Sequence, residues 1–194
     1  MIIGYHGTTK QKAQSICESQ FIINEDIENE LYLGKGVYFY YNFTHAIEWI
    51  LKMYRKENKN HIKYSELKLE YAIIEANIQT PKDRILDLDM RTQAIKFDRI
   101  VEKIRVRLIN KPEYIKAKKK DAAVLNILQE MELISGVDII SKTFYEDIQY
   151  NKERVHNLGK IPKRMFCVKN INVIVSKEIS NKLNKRIINE TIYV

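Results

Sequence analysis

Cysteine, proline and glycine are all scarce in this chain of 194 residues, which holds two Cys, three Pro and six Gly. Two cysteines cannot build a disulfide scaffold. Cys17 and Cys167 stand far apart in segments that read as a helix and a strand with apolar neighbours, so both are expected to be packed free thiols. Neither joins a paired-cysteine or Cys/His cluster and His-Glu-x-x-His is absent, so no zinc or other metal site is expected. So few Pro and Gly leave no room for long flexible linkers. Apolar runs such as Ile73–Ile74 and Val173–Val175 break off within a few residues, far short of the roughly 20 that a membrane span needs. No membrane association is expected. The start, Met1-Ile2-Ile3-Gly4-Tyr5-His6, lacks the basic stretch, apolar stretch and small-residue cleavage site of a signal peptide, and a cytoplasmic location is the expectation.

What is present is an ordinary globular composition, 45% hydrophobic and 30% charged, long enough for a real core. Thirty-three Lys and Arg against 25 Asp and Glu give a formal net charge of +8. Such a balance favours encounter with polyanions, nucleic acid and phosphorylated cofactors included. The plainer reading is compositional, because Lys, Ile and Asn rise together in AT-biased genomes, and Lys116–Lys120 has the look of a solvated helix start.

Ile2–His6 reads as a short strand. Thr8-Thr9-Lys10-Gln11 supplies a capping box for a helix over about 9–18, with Ala13, Ile16 and Cys17 at helical spacing. Phe21–Ile23 closes that unit, and the acidic stretch Asn24–Glu30 is expected to be an exposed loop. Gly34-Lys35-Gly36 forms a turn before a strand-prone Val37–Tyr41. Thr44 is expected to cap a second helix, whose Ile47, Ile50, Leu51 and Tyr54 recur on one face. Lys68–Ile78 is the clearest strand, ended by Pro81. Phe97, Ile100, Val101, Ile104 and Leu108 line a helix over 92–108, and Val124, Ile127, Leu128 and Met131 another over 121–133. Met165–Val168 and Asn172–Val175 read as paired short strands or one bent strand, 177–184 as a short helix, and 187–194 as a terminal strand. Strands at both ends with helices inserted near 90–135 make an α+β fold, expected as a single domain over 1–194.

Two segments carry chemistry in combination: Tyr5-His6-Gly7-Thr8-Thr9, and Gly34-Lys35-Gly36-Val37-Tyr38-Phe39 followed at helical distance by Ala46 and Trp49. Together they resemble the signature of the diphtheria toxin-like ADP-ribosyltransferases, the superfamily that includes the poly(ADP-ribose) polymerases. There the first strand carries His-Gly-Ser/Thr and a later one Gly-x-Gly-Ile/Val-Tyr-Phe, with an aromatic residue about eleven positions on, as Trp49 follows Tyr38. The likeness is close over roughly the first quarter of the chain and elsewhere holds only in the order of elements.

The resemblance implies a split antiparallel β core with flanking and inserted helices, and NAD as co-substrate. Gly7 would let the nicotinamide carboxamide meet the main chain, where a side chain would collide. By the same likeness His6 donates a ring N–H to the adenosine ribose, Thr8 adds a hydroxyl, Gly36 lies in the binding loop, and Tyr38 and Trp49 sandwich the ring. His6, Tyr38 and a late-strand Glu would form the catalytic set, that Glu holding the nicotinamide ribose. No carboxylate begins the strand at Lys163-Arg164-Met165. Asn189-Glu190-Thr191-Ile192-Tyr193 looks like the family's late segment and makes Glu190 the candidate, with Glu75 and Glu70 as alternatives. A departure at this position speaks against poly(ADP-ribose) synthesis. The implied activity is mono(ADP-ribosyl) transfer to a protein or nucleic acid acceptor, in a toxin of a defence or toxin–antitoxin pair. The alternatives are a non-catalytic NAD or ADP-ribose binding module, and an NAD-dependent RNA 2′-phosphotransferase, whose basic Arg/His set is not visible.

Overall fold

A computed structural model of the chain describes residues 1–23, 32–57, 64–116, 120–147 and 160–183. The expected loop over 24–30, the expected terminal strand over 187–194 and Glu190 lie outside these residues. The described residues form an α+β protein with seven strands and six α-helices. None of these helices is long and apolar enough to cross a membrane. The chain divides into two compact units, 1–22 with 39–79 and 172–194, and 23–38 with 80–171.

In the first unit lie β1 (Ile2–Thr9), α1 (Lys10–Glu18), the second half of β2 (Val37–Tyr40), α2 (Phe43–Glu57), α3 (Tyr64–Glu70), β3 (Tyr71–Ile78) and β7 (Ile174–Ile179). Its strands are antiparallel in the order β2-β1-β3-β7. A central strand between β1 and β7 that α1, α2 and α3 also contact, β3 buries Tyr71, Ala72, Ile73, Ile74, Ala76 and Ile78, so it loses the simple alternation of a half-exposed strand. The α2 stripe Ala46, Ile50 and Tyr54 joins Leu67, Tyr71, Ile73 and Leu183 in one core, with Ile47 and Leu51 packed at its margin.

Local chemistry moves several boundaries. Because β1 stays paired with β3 as far as Thr9 opposite Tyr71, Thr8 remains a buried strand residue. Thr9 caps α1 instead, its Oγ1 accepting from the Lys12 N–H at 3.4 Å. α2 begins at Phe43, one residue before the expected cap Thr44, and Asn42 Oδ1 accepts the Thr44 N–H at 2.9 Å. Residues 68–70, expected in a strand, close α3. In a strand Leu67 and Leu69 would share a face; here Leu67 is fully buried and Leu69 is 64% exposed. Lys177–Ile179, expected as helix, extend β7 because β3 offers them partners at Ile74–Ala76.

The second unit holds the turn region over 32–38, β4 (Ile85–Asp87), α4 (Arg91–Ile109), α5 (Pro112–Lys116), α6 (Lys120–Glu130), β5 (Ile139–Asp147) and β6 (Lys160–Val168). β4 runs parallel to β5, and β5 antiparallel to β6. So β6 and β7 are neither one bent strand nor paired with each other, since each has its own partners. Both expected helices form, but their stripes are buried only in part: α4 buries Ile104 and Leu108 and leaves Phe97, Ile100 and Val101 half-buried, while α6 buries Ala122–Leu125, Ile127 and Leu128 and ends before the half-buried Met131. Asp138 anchors the start of β5. Its carboxylate accepts from Arg84 Nη2 (2.9 Å), Asn170 Nδ2 (2.9 Å) and Thr80 Oγ1 (2.5 Å). Cys17 is a half-buried and Cys167 a buried free thiol.

Candidate functional site

The His-Gly-Thr segment lies in the C-terminal half of β1, where alternation sends neighbouring side chains to opposite faces. Gly7 lies opposite Ile73 and His6 opposite Ile74 of β3. The His6 ring stands edge-on to Phe21, with centroids 5.4 Å apart, and tilted against Phe39 at 5.8 Å; Phe21 and Phe39 also meet each other. It is half-buried in an aromatic cluster. Gly7 faces α2. A Cβ there would come within 2.7 Å of Ile50 Cγ2, 2.9 Å of the Ala46 carbonyl oxygen and 3.2 Å of Trp49 Cδ1. Strand and helix approach so closely that only a residue without a side chain fits. Gly7 and Trp49 are therefore brought together although far apart in the chain, and Trp49 keeps 40% of its surface exposed. Thr8 is buried. Glu75, across the ladder from Tyr5, is held by Lys182, whose Nζ lies 2.8 Å from Glu75 Oε2 and 3.2 Å from the Tyr5 hydroxyl.

Gly36 and Tyr38 belong to the second unit. The turn before β2 needs both its glycines: Gly34 has φ +74° and Gly36 +149°, values that L side chains adopt at a cost. The space beside each is also taken, by the Asn126 side chain at Gly34, and by Cys167 Sγ and the Val168 carbonyl at Gly36. Tyr38 folds back on this turn. Its hydroxyl donates to the Gly34 carbonyl at 2.6 Å and accepts the Leu33 N–H at 2.8 Å, and burial pushes its phenol far above the usual range. Phe39, its neighbour on β2, is fully buried core.

Three further residues hold the turn, and motif reasoning misses all of them. Asn126 of α6 accepts the Lys35 N–H at 2.7 Å. Cys167 Sγ lies 3.5 Å from the Lys35 carbonyl, its pKa pushed up to about 11 by burial. Lys169, 8% exposed, donates its ammonium to the carbonyls of Leu33 (2.7 Å) and Lys35 (2.5 Å), while burial lowers its pKa. Asn126 did leave a signal, as the one polar residue inside the apolar run Ala122–Leu128. Lys169 left a fainter one, directly after the buried Met165–Val168. Lys35 itself serves the turn through its main-chain N–H and carbonyl.

β6 begins at Lys160, ahead of the expected start at Lys163, so Arg164 is mid-strand, where it pairs with Asp87 (2.6 Å) and Asp89 (3.6 Å); Met165 is buried. Among the described residues no group of three or more His, Cys, Asp or Glu is placed to hold a metal ion.

The fold and these segments define an α+β protein with a His-Gly-Thr strand packed on an aromatic helix and a separate, tightly clamped glycine turn. The uncharacterized protein MJ0359 of Methanocaldococcus jannaschii is 30% identical over 207 aligned residues, covering 97% of this chain and 93% of that protein. The chain belongs to the same family as MJ0359. No family model matches it, and no solved structure does.

Proposed function

We propose that the protein is a mono(ADP-ribosyl)transferase of the diphtheria toxin-like superfamily. It would cleave NAD at the nicotinamide–ribose bond and pass ADP-ribose to a nucleophile on a protein or nucleic acid. The observation that carries this reading is the packing of Trp49 beside Gly7. An aromatic side chain with exposed surface lies next to the glycine at which the resemblance puts the carboxamide. The antiparallel β2-β1-β3-β7 order supports the split β core of that superfamily. His6 would donate to the adenosine ribose, Thr8 would line the bound dinucleotide, and Glu190 would hold the nicotinamide ribose as positive charge develops. In the reaction the C–N bond to nicotinamide breaks with its electron pair leaving on the ring nitrogen, and the acceptor forms the new bond to the ribose carbon and gives up a proton. A cytoplasmic toxin with an antitoxin partner is the setting this activity suggests.

One observation favours the second reading, a non-catalytic NAD or ADP-ribose module. The Tyr38 hydroxyl is already engaged with Leu33 and Gly34, which suits a residue that shapes a binding loop better than one that moves protons. Nicotinamide release from NAD by the purified chain decides between them. Release that falls at least about tenfold in both His6→Ala and Glu190→Gln, a loss of about 1.4 kcal/mol in transition-state stabilisation, supports the transferase. Saturable NAD binding without release supports the module. Absence of both overturns the NAD reading.

A further inference from the structure

The positive charge of this chain is not spread evenly. Residues 91–120 hold eleven Lys and Arg against three Asp and Glu, so this stretch alone carries a net +8, the value of the whole sequence; the rest of the chain is balanced. Most of the stretch is α4, and on that helix the charges are sorted by face. Positions 96, 99, 103 and 107 follow one another at i, i+3, i+7 and i+11, which places Lys96, Arg99, Lys103 and Arg107 on a single flank. All four are exposed. None of them is paired with a carboxylate among the described residues, whereas Arg105, on another side of the helix, meets Glu102 at 3.4 Å.

We infer that this flank of α4 is a nucleic-acid docking surface that contacts the phosphate backbone without reading bases. Four cations rise along about 17 Å of helix at 1.5 Å per residue. Successive ones stand about 4.5–6 Å apart along the axis, inside the Debye length of about 8 Å at physiological salt, so their fields add. A membrane surface fits less well. A helix that lies in lipid needs a continuous apolar strip beside its cations, but the main apolar side of α4, with Ile104 and Leu108, is buried in its own unit. The exposed Ile95, Val106 and Ile109 share the adjoining flank with Asp98 and Glu102, whose carboxylates break that strip and oppose an anionic lipid surface. The four-residue stripe carries no aromatic platform for stacking bases, which leaves the backbone as its target. This surface does not depend on the NAD reading.

The test is fluorescence anisotropy of a labelled single-stranded RNA and of a labelled DNA duplex, each about 20 nucleotides long, over a salt series with the full chain. The expected result is binding whose logarithm falls steeply with the logarithm of salt. In Lys96→Ala/Arg99→Ala/Lys103→Ala/Arg107→Ala the slope should shrink by about 3 on the single strand or about 3.6 on the duplex, from about 0.7 or 0.9 per phosphate contact. Which probe binds more tightly says whether RNA or DNA is the source of the phosphates. Arg105→Ala should change neither slope, and far-UV circular dichroism of the fourfold variant should match wild type, since all four side chains are exposed. An unchanged slope in the fourfold variant, or binding to phosphatidylserine vesicles but to neither oligonucleotide, overturns the inference. Any nicotinamide release from free NAD should survive the fourfold change, so this result and the NAD result are read separately.

Discussion

Lys169 is the strongest single lever on the glycine turn, and its replacement by Met keeps the length of the side chain while removing the charge. Two carbonyls, those of Leu33 and Lys35, lose their donor. Hydrogen bonds to a charged group contribute about 1.5–3 kcal/mol each, but relief from burying the ammonium offsets much of that. The net expectation at neutral pH is a loss of about 1–3 kcal/mol, or roughly 3–10 °C in Tm for a chain of this size. The pH dependence separates this account from simple packing loss. Burial lowers the Lys169 pKa in the folded state, so below the ordinary lysine value of about 10.4 the unfolded chain binds more protons than the folded one. Stability from this group therefore rises as pH climbs from the lowered value toward the ordinary one. Cys167 acts in the opposite sense, because its thiol, pushed up to about 11, stays protonated in the fold after the unfolded thiol has ionised. Lys169 itself holds that thiol down, so in Lys169→Met it rises further, the variant loses stability with pH at least as steeply as wild type, and the thiol widens the gap in the same direction. Urea unfolding at a series of pH values from about 7 to 10 should show the gap between wild type and Lys169→Met widening with pH. A constant or narrowing gap would refute the buried, titrating ammonium; a variant as stable as wild type throughout would refute the clamp.

Three other substitutions follow from the structure. Gly36→Ala must place a Cβ against Cys167 Sγ and the Val168 carbonyl at a φ of +149°, and should cost about 3 kcal/mol or more in urea unfolding; a loss under about 1 kcal/mol would mean the turn rearranges freely. Leu67→Ala should cost about 2–4 kcal/mol while Leu69→Ala costs less than about 0.5 kcal/mol, and equal losses would restore the strand expected over 68–70.

The legible parts of the fold are those whose cause is local. α4 and α6 follow from apolar residues at helical spacing, β3 from its β-branched run, and α1 from its threonine cap, displaced by one residue because a neighbouring strand competes for the backbone. What escaped is what partners decide. β4 and β5 carry no strand signal of their own, and Lys177–Ile179 reads as helix, because a lysine beside a glutamate has helical propensity until β3 presents a free edge. Residues 68–70 differ in another way: the sequence reads them as the head of the β3 strand, and only the burial of Leu67 against the exposure of Leu69 reveals that they close α3.

The same division runs through the candidate site. Glycines advertise themselves where the chain needs a positive φ, which few other residues tolerate, and so Gly34 and Gly36 marked the turn. The resemblance explained Gly7 by a ligand, yet Ile50 and Ala46 already require it, and a motif glycine can satisfy both demands only if its two sides differ. Here they do: the Cβ direction points at α2, whereas any carboxamide contact would run through the N–H and C=O, which lie in the plane of the sheet. The packing role therefore neither replaces nor supplies the binding role, and Gly7→Ala cannot distinguish them. Trp49→Ala can, because its ring lies where a Cβ at Gly7 would meet it while leaving surface to solvent. Loss of NAD affinity with unfolding unchanged assigns the tryptophan to the ligand, and loss of stability alone assigns it to the strand.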